Sequence, residues 1–458
     1  MELAPLDLRR VLTRHALSLS VAAALVGVAA PASAALFQLQ EQNASGLGNA
    51  YAGGAAIADD ASTVWYNPAG MTRLSGSHVL GAGHFIDPST KFTKTSATLA
   101  LTGGNISGGN GGDAGESALV PNFYYTQALG DRLSFGFGIN VPFGLATDYD
   151  DDWVGRYHAD RSEIETINLN PALAYRVSDT FSLGGGVSIQ RVEAVLTNAV
   201  DYGSICTAVP GAQGCEAPGA LDGHGRLEGD DISYGFNVGA LWQLTPESRL
   251  GLAYRSKISH KIEGQSTLTA PNATAAATAA ALGITNSALV TYVTLPETIS
   301  LSAFHQASPE WAFMADLTHT RWSRLPELRI DFTENTQSDS VISLGLENVN
   351  RYSVGATYSP GGDWSYRIGV ALDKTPTPSP EFRTPRVPDA DRLWLALGAK
   401  YRMSKSATLD FAVVHITVDD AEIDKVATTT NENFLRGNLS GTYEASVNIL
   451  SAQASWQF

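Results

Sequence analysis

The chain is poor in the residues that do chemistry. Its 458 residues include two cysteines and nine histidines, and the histidines are scattered with no H-E-x-x-H or zinc spacing. No G-x-S-x-G elbow and no Ser-His-Asp or Cys-His constellation can be assembled, so no catalytic residue, metal site or cofactor is expected, and an enzyme is disfavoured. Gly46-Leu-Gly48 begins like a dinucleotide fingerprint, but the remaining spacing fails and no βαβ unit surrounds it. Cys206 and Cys215 share one Gly/Pro-rich stretch without a histidine partner. In an exported chain they can pair and staple a short loop.

Positive charge is scarce too. There are 30 Lys and Arg against 46 Asp and Glu, and this acidic balance argues against nucleic acid. Long apolar runs are confined to the start. Arg9, Arg10 and Arg14 precede small and apolar residues, and Ala32-Ser33-Ala34 offers a small-residue cleavage site. Residues 1–34 therefore read as a secretory signal peptide, with Ala35 the expected mature start. The run is shorter than a membrane-spanning helix needs, and no later window holds 18 apolar residues.

What the chain has instead is alternation. Leu133, Phe135, Phe137, Ile139 and Val141 face one way, and Ser134, Gly136, Gly138 and Asn140 the other. Trp364, Tyr366, Ile368, Val370 and Leu372 oppose Ser365, Arg367, Gly369 and Ala371. A period of two is the mark of half-buried strands. A soluble sandwich would also alternate, so the connections carry the distinction. Six are short and polar, at 130–131, 178–179, 246–248, 308–310, 360–363 and 404–405. Seven are long, at 87–117, 142–163, 193–229, 266–290, 321–340, 374–390 and 420–442. Short and long take turns, giving fourteen antiparallel strands, an even number with turns at one rim and loops at the other. Closure removes the edges such a sheet would expose. The last strand alternates to a terminal Phe458, and Phe181, Trp311, Trp364 and Tyr401 at strand ends would build an interfacial aromatic girdle. The expected fold is an all-β, 14-stranded transmembrane barrel over residues 75–458, a monomer among outer-membrane lipid and lipopolysaccharide.

Residues 35–74 do not alternate. Rich in Gly, Ala, Asn and Asp, they end in the turn-forming Asn67-Pro68-Ala69 and read as a compact plug. Asp59-Asp60 suits a capping or turn device, and Asp148 with Asp150, Asp151 and Asp152 suits a solvated loop better than a cation site. Arg367, Arg392, Lys400 and Arg402 fall on the polar face, as do Asp316 and Asp410. Most should pair with one another or with the plug, and one or two could meet a ligand carboxylate. Residues 273–282 have strong helix propensity and would either cover an external groove or fill the barrel mouth. Pro142 and Gly144 cannot continue a regular ladder, which implies a kink or simply the end of the third strand.

Several stretches resemble the FadL/TodX-type outer-membrane transporters of long-chain fatty acids and aromatic hydrocarbons. These are ALFQL at the mature start, SGLGNAYAGGAAIADDAS and Asn67-Pro68-Ala69 in the plug, NVPFGLATDY (140–149), and VPDADRLWLALGAKY (387–401). The resemblance implies an amino-terminal hatch inside the barrel and an external groove formed by the third and fourth long loops. It also implies an apolar pocket near the amino terminus, gated by Leu36, Phe37, Phe143 and Gly144. Passive uptake of a hydrophobic small molecule would end in sideways exit at the kinked third strand, around Pro142 and Gly144. Long-chain fatty acids are the first expected substrate; residues 194–198 (AVLTN) depart from the basic residues that fatty-acid members carry there, which leaves neutral hydrocarbons open, and a structural or adhesive outer-membrane barrel is the alternative from another class.

Overall fold

Every inward-facing strand position must tolerate a filled lumen, and every outward one must tolerate lipid; this double demand produces the alternation. The computed structural model describes residues 36–207 and 217–458. The expected signal peptide 1–34, the expected mature start Ala35, and Cys215 lie outside the described residues. Among the described residues fourteen strands close into a ring. β1 is Ser77–Thr98, β2 Ala118–Ala128, β3 Leu133–Asn140 resuming as Gly144–Asp148, β4 Arg161–Ser178, β5 Phe181–Asp201 and β6 Asp222–Gln243. β7 runs Ser248–Arg255 and then Ile258–Thr269, and β8 runs Ser287–Leu295 and then Thr298–Gln306. β9 comprises Trp311–Thr320 and Glu327–Phe332, β10 Ser340–Ser343 and Val349–Tyr358, and β11 Trp364–Asp373. β12 is Arg392–Arg402, β13 Ala407–Val418 with Ala421–Lys425, and β14 Asn438–Gln457.

Each strand pairs antiparallel with its sequence neighbour, and β14 closes on β1 from His78↔Gln457 to Thr98↔Asn438. Ser77 N and Phe458 N each donate to the other's carbonyl at 2.9 Å, so the terminal aromatic finishes the seam. The outer face is apolar: Leu173, Val187, Phe236, Leu301, Ile368 and Leu395 are among its exposed side chains. At the short-turn rim aromatic rings pair across strands, Trp311 with Tyr358 at 4.7 Å and Trp364 with Tyr401 at 4.8 Å. Amphipathic rings of this kind suit a membrane interface.

The six short turns fall where the sequence places them, but most of the long connections are shorter than expected. β1 continues through residues 87–98, β5 reaches Asp201, and β6 begins at Asp222. Past the apolar belt both faces of a strand are wet, so alternation vanishes while the hydrogen-bond ladder continues. The Ala-rich stretch forms the helix Ala273–Ala281, capped by Asn272, whose side chain accepts from Ala275 N at 2.8 Å. Ala275 and Ala279 pack on Tyr202 and Ile205 of a second helix, Tyr202–Thr207. Cys206 lies on that helix and is disulfide-bonded.

Residues 36–74 fill the lumen and touch the wall on every side. Ala44 N donates to Gln453 on β14, Asn49 Nδ2 to Ala356 O on β10, and Ala55 N to Ser302 on β8. Wall glycines admit these contacts. A Cβ at Gly251 would stand 1.9 Å from Ala55 O, and one at Gly239 2.0 Å from Asn67 Oδ1. Only glycine permits backbone to approach so closely.

Candidate functional site

The wall has a local break. β3 pairs with β2 only as far as Phe123↔Ile139 and then leaves the ladder for Val141, Pro142 and Phe143. It resumes at Gly144 with β4 as its strand partner and a bridge from Thr147 to Gly115 on the other edge, while residues 118–122 of β2 pair with β1. Pro142 has no N–H for a neighbouring strand. Phe143 N donates to Thr166 Oγ1 of β4 and Phe143 O accepts from it, while Val141 O, Pro142 O and Gly144 N are taken up by residues 36–42. Leu39 N donates to Pro142 O and Gly144 N to Phe37 O, both at 2.9 Å. Gln42 Nε2 donates to Val141 O, and Asn122 Nδ2 to Glu41 O, again at 2.9 Å. The amino-terminal segment behaves as a short extra strand laid into the gap.

Leu36, Phe37, Phe143 and Gly144 are therefore adjacent. With Leu145, Leu295, Trp322, Leu325 and Leu346 the first three form one buried apolar cluster. The Phe37 ring is 4% exposed and lies 5.1 Å from Trp322, edge-on, and 5.9 Å from Phe143. Sequence reasoning missed Leu295, Trp322, Leu325 and Leu346. Their signal was present: Leu295-Pro296 and Leu325-Pro326 sit at breaks in β8 and β9, and a residue before proline is pushed out of regular continuation. Interruptions in β3, β7, β8, β9 and β10 together open a place for large side chains.

Asn67, Pro68 and Ala69 lie at the other end of the plug. Asn67 Nδ2 donates to Ala55 O at 2.7 Å and to Ala240 O on β6 at 2.9 Å, while its Oδ1 caps Ala69 N at 3.1 Å. One side chain thus starts the turn Pro68–Arg73, fixes the plug internally and ties it to the wall. Asp60 accepts from Ser45 Oγ at 2.6 Å, from Ser62 N at 2.9 Å and from Gln453 Nε2 at 3.1 Å, a turn device as the sequence suggests.

The lumen charges mostly pair. Arg367 meets Asp410 at 2.6 Å, Arg392 meets Asp389, and Lys400 reaches Asp59 at 3.9 Å. Asp316 accepts from Ser302 and, at 2.7 Å, from Thr318. Outside the plug, Asp148 pairs with Arg161 at 2.7 Å. Glu41 differs. It is fully buried beside the gap, and neither carboxylate oxygen has a hydrogen-bond partner among the described residues. Burial pushes its carboxyl up to about 7, against the opposing pull of its own backbone amide and then of Arg351 and Arg392.

A closed fourteen-stranded barrel holding an amino-terminal plug is now joined by a match along its length. The family model described as "Outer membrane protein transport protein (OMPP1/FadL/TodX)" covers residues 25–458. The chain belongs to the FadL/TodX family. Outer membrane protein P1 of Haemophilus influenzae is 30% identical, covering 96% of this chain and 98% of the relative. The long-chain fatty acid transport protein of Escherichia coli is 31% identical over 86% of this chain and 89% of its own length. Among solved structures, a Pseudomonas aeruginosa FadL homologue superposes with a TM-score of 0.84 at 28% identity, covering 92% of this chain and 99% of that one. The Pseudomonas putida toluene transporter TodX shares the fold, with a TM-score of 0.67 at 16% identity over 93% and 100% of the two chains. This FadL/TodX member is accordingly an outer-membrane transport barrel and not an enzyme.

Proposed function

We propose that the barrel takes up hydrophobic small molecules passively, long-chain fatty acids first and neutral aromatic or aliphatic hydrocarbons second. The observation that carries this is the apolar pocket of Phe143, Leu295, Trp322 and Leu325, sealed by the chain's own Leu36 and Phe37 at a break in the wall. A substrate tail replaces the Phe37 ring, the 36–42 segment withdraws, and the gap beside Pro142 and Gly144 opens sideways to the membrane. That route spares an apolar molecule the polar lumen and uses no energy source. Residues 35–74 act in this reading as a hatch. The names of the Escherichia coli relative and of the toluene transporter support the two substrate classes.

The test is growth on, and labelled uptake of, oleate and toluene in a strain lacking this protein, with and without the gene restored. Unchanged uptake of both would refute the transporter reading. Pro142 and Gly144 are then replaced together by residues that continue a strand. Uptake should stop while the barrel still assembles, and uptake at the original rate would sink lateral exit.

A further inference from the structure

A buried indole N–H normally finds an acceptor, and the one in the apolar pocket does not. Trp153, Trp322 and Trp394 are fully buried. Trp153 Nε1 donates to Ala159 O at 2.8 Å. Trp394 Nε1 has no acceptor among the described residues, but the Arg351 guanidinium lies 4.9 Å from the centre of its ring and makes its surroundings polar. Trp322 Nε1 also has no acceptor among the described residues. It packs in a cluster of hydrocarbon side chains, Leu36, Phe37, Phe143, Leu295 and Leu325 among them. An N–H stranded in such surroundings costs free energy on the scale of a lost hydrogen bond. An aromatic ring answers it only weakly.

The fold holds the indole in that position. Trp322 opens the short turn Trp322–Arg324 that interrupts β9, and Arg321 and Arg324 both pair with Glu297, at 3.0 and 2.7 Å. These pairs clamp the turn to the break in β8 and occupy the Glu297 carboxylate. Phe37 meets the indole at 5.1 Å and 70°, Phe143 at 6.3 Å and 86°. When the 36–42 segment withdraws, the space left by the Phe37 ring adjoins the indole directly.

From this arrangement we infer that Trp322 is a specificity residue, whose N–H donates to a neutral acceptor oxygen on a hydrophobic ligand, an alcohol, ester or ketone, when the ligand chain takes the place of Phe37. The inference rests on the uptake reading above and adds oxygen-bearing neutral lipids to the substrates of that same pocket. A single uncharged donor amid hydrocarbon suits a neutral oxygen, which one hydrogen bond satisfies. A pure hydrocarbon leaves the N–H as it is against Phe37. Because the donor has no partner in the sealed state, its bond to the ligand displaces none within the described structure.

The test measures binding of oleyl alcohol, methyl oleate, 1-octadecene and oleate to the full-length protein in detergent, for wild type and Trp322→Phe. The substitution keeps an aromatic ring and removes the N–H. It should weaken oleyl alcohol and methyl oleate by about three- to tenfold, the scale of one neutral hydrogen bond, and leave 1-octadecene within about twofold. Methyl oleate can only accept, so its loss identifies the indole as the donor. The isosteric 3-benzothienylalanine at position 322, with sulfur in place of the N–H, should give the same pattern without shrinking the ring, and it replaces Trp322→Phe if that variant fails to fold. Equal weakening of all four ligands would show that the indole only fills space. Unaltered affinity for alcohol and ester would show that it meets no oxygen, and a loss confined to oleate would show that it answers a carboxylate instead. Each of these overturns the inference while leaving uptake standing. Wild-type protein that binds none of the four refutes the uptake reading itself, and the inference with it.

Discussion

Replacing Phe37 by alanine is the sharpest probe of how residues 36–42 are held. The ring is buried against Trp322 and Phe143, and truncating such a residue to alanine costs about 3–5 kcal/mol. The backbone bonds of the segment survive the change, so this cost falls on the equilibrium between the seated and the released segment. At 1.4 kcal/mol per factor of ten, release becomes about 140- to 3,700-fold more frequent. The amides of Leu39 and Gly144 report it directly, because their acceptors are Pro142 O and Phe37 O across the gap. Where closing is fast, their hydrogen-exchange rates follow the opening equilibrium and should rise by that factor. Amides in the β1–β14 seam should not change. Phe37→Leu, which keeps most of the apolar volume, should give a much smaller effect. If Leu39 and Gly144 keep wild-type protection to within about threefold in Phe37→Ala, the ring does not hold the segment, and the gating argument built on it is wrong.

Three further outcomes are expected. Gly239→Val places a side chain where Asn67 Oδ1 now sits; the barrel should still fold while residues 67–73 become open to protease, and continued protection would refute the close-approach argument. Glu41, held at about 7 by burial against an ordinary value of 4.5, binds its proton more tightly in the seated state than when released. Seating is therefore favoured at low pH and weakens as pH rises from about 4.5 to 7, by on the order of 3 kcal/mol in total, with no further loss above. Exchange at Leu39 should follow that window and lose its pH dependence, after correction for intrinsic exchange, in Glu41→Gln; an identical slope in the variant would exclude Glu41 as its source. Arg367→Met strands Asp410 in the lumen and should destabilise by about 3–5 kcal/mol, seen as a lower unfolding temperature. Adding Asp410→Leu should recover much of it, and no recovery would mean that the pair is not the cause.

The wall was legible because lipid and lumen impose a strict period of two, which Leu133–Asn140 and Trp364–Asp373 display plainly. The turns were legible because Gly130-Asp131 and Pro360-Gly361-Gly362-Asp363 are local signals. Strand ends were not, since Pro88 and the polar residues after it face water on both sides and look like loop while pairing with β14. The site was half legible. Phe37, Phe143 and Pro142 stand out near the start of the chain or at a broken ladder. Trp322, Leu295 and Leu346 come from β8–β10 and meet them only through closure of the ring.

The grip of β14 on the plug bears on how such a protein can be made. Gln453 accepts from Ala44 N and Ser45 N and donates to Asp60, joining parts of the chain about 400 residues apart. The plug is also covalently continuous with β1, the strand on which β14 closes. Wall glycines fitted to the plug backbone leave hollows unless it is present. Seating the plug and sealing the barrel thus become one cooperative event, in which the earliest part of the chain serves as a mandrel for the last. Damage to the plug should then show itself first as a failure of biogenesis, with unclosed chains retained before the membrane, and only in milder variants as an altered channel.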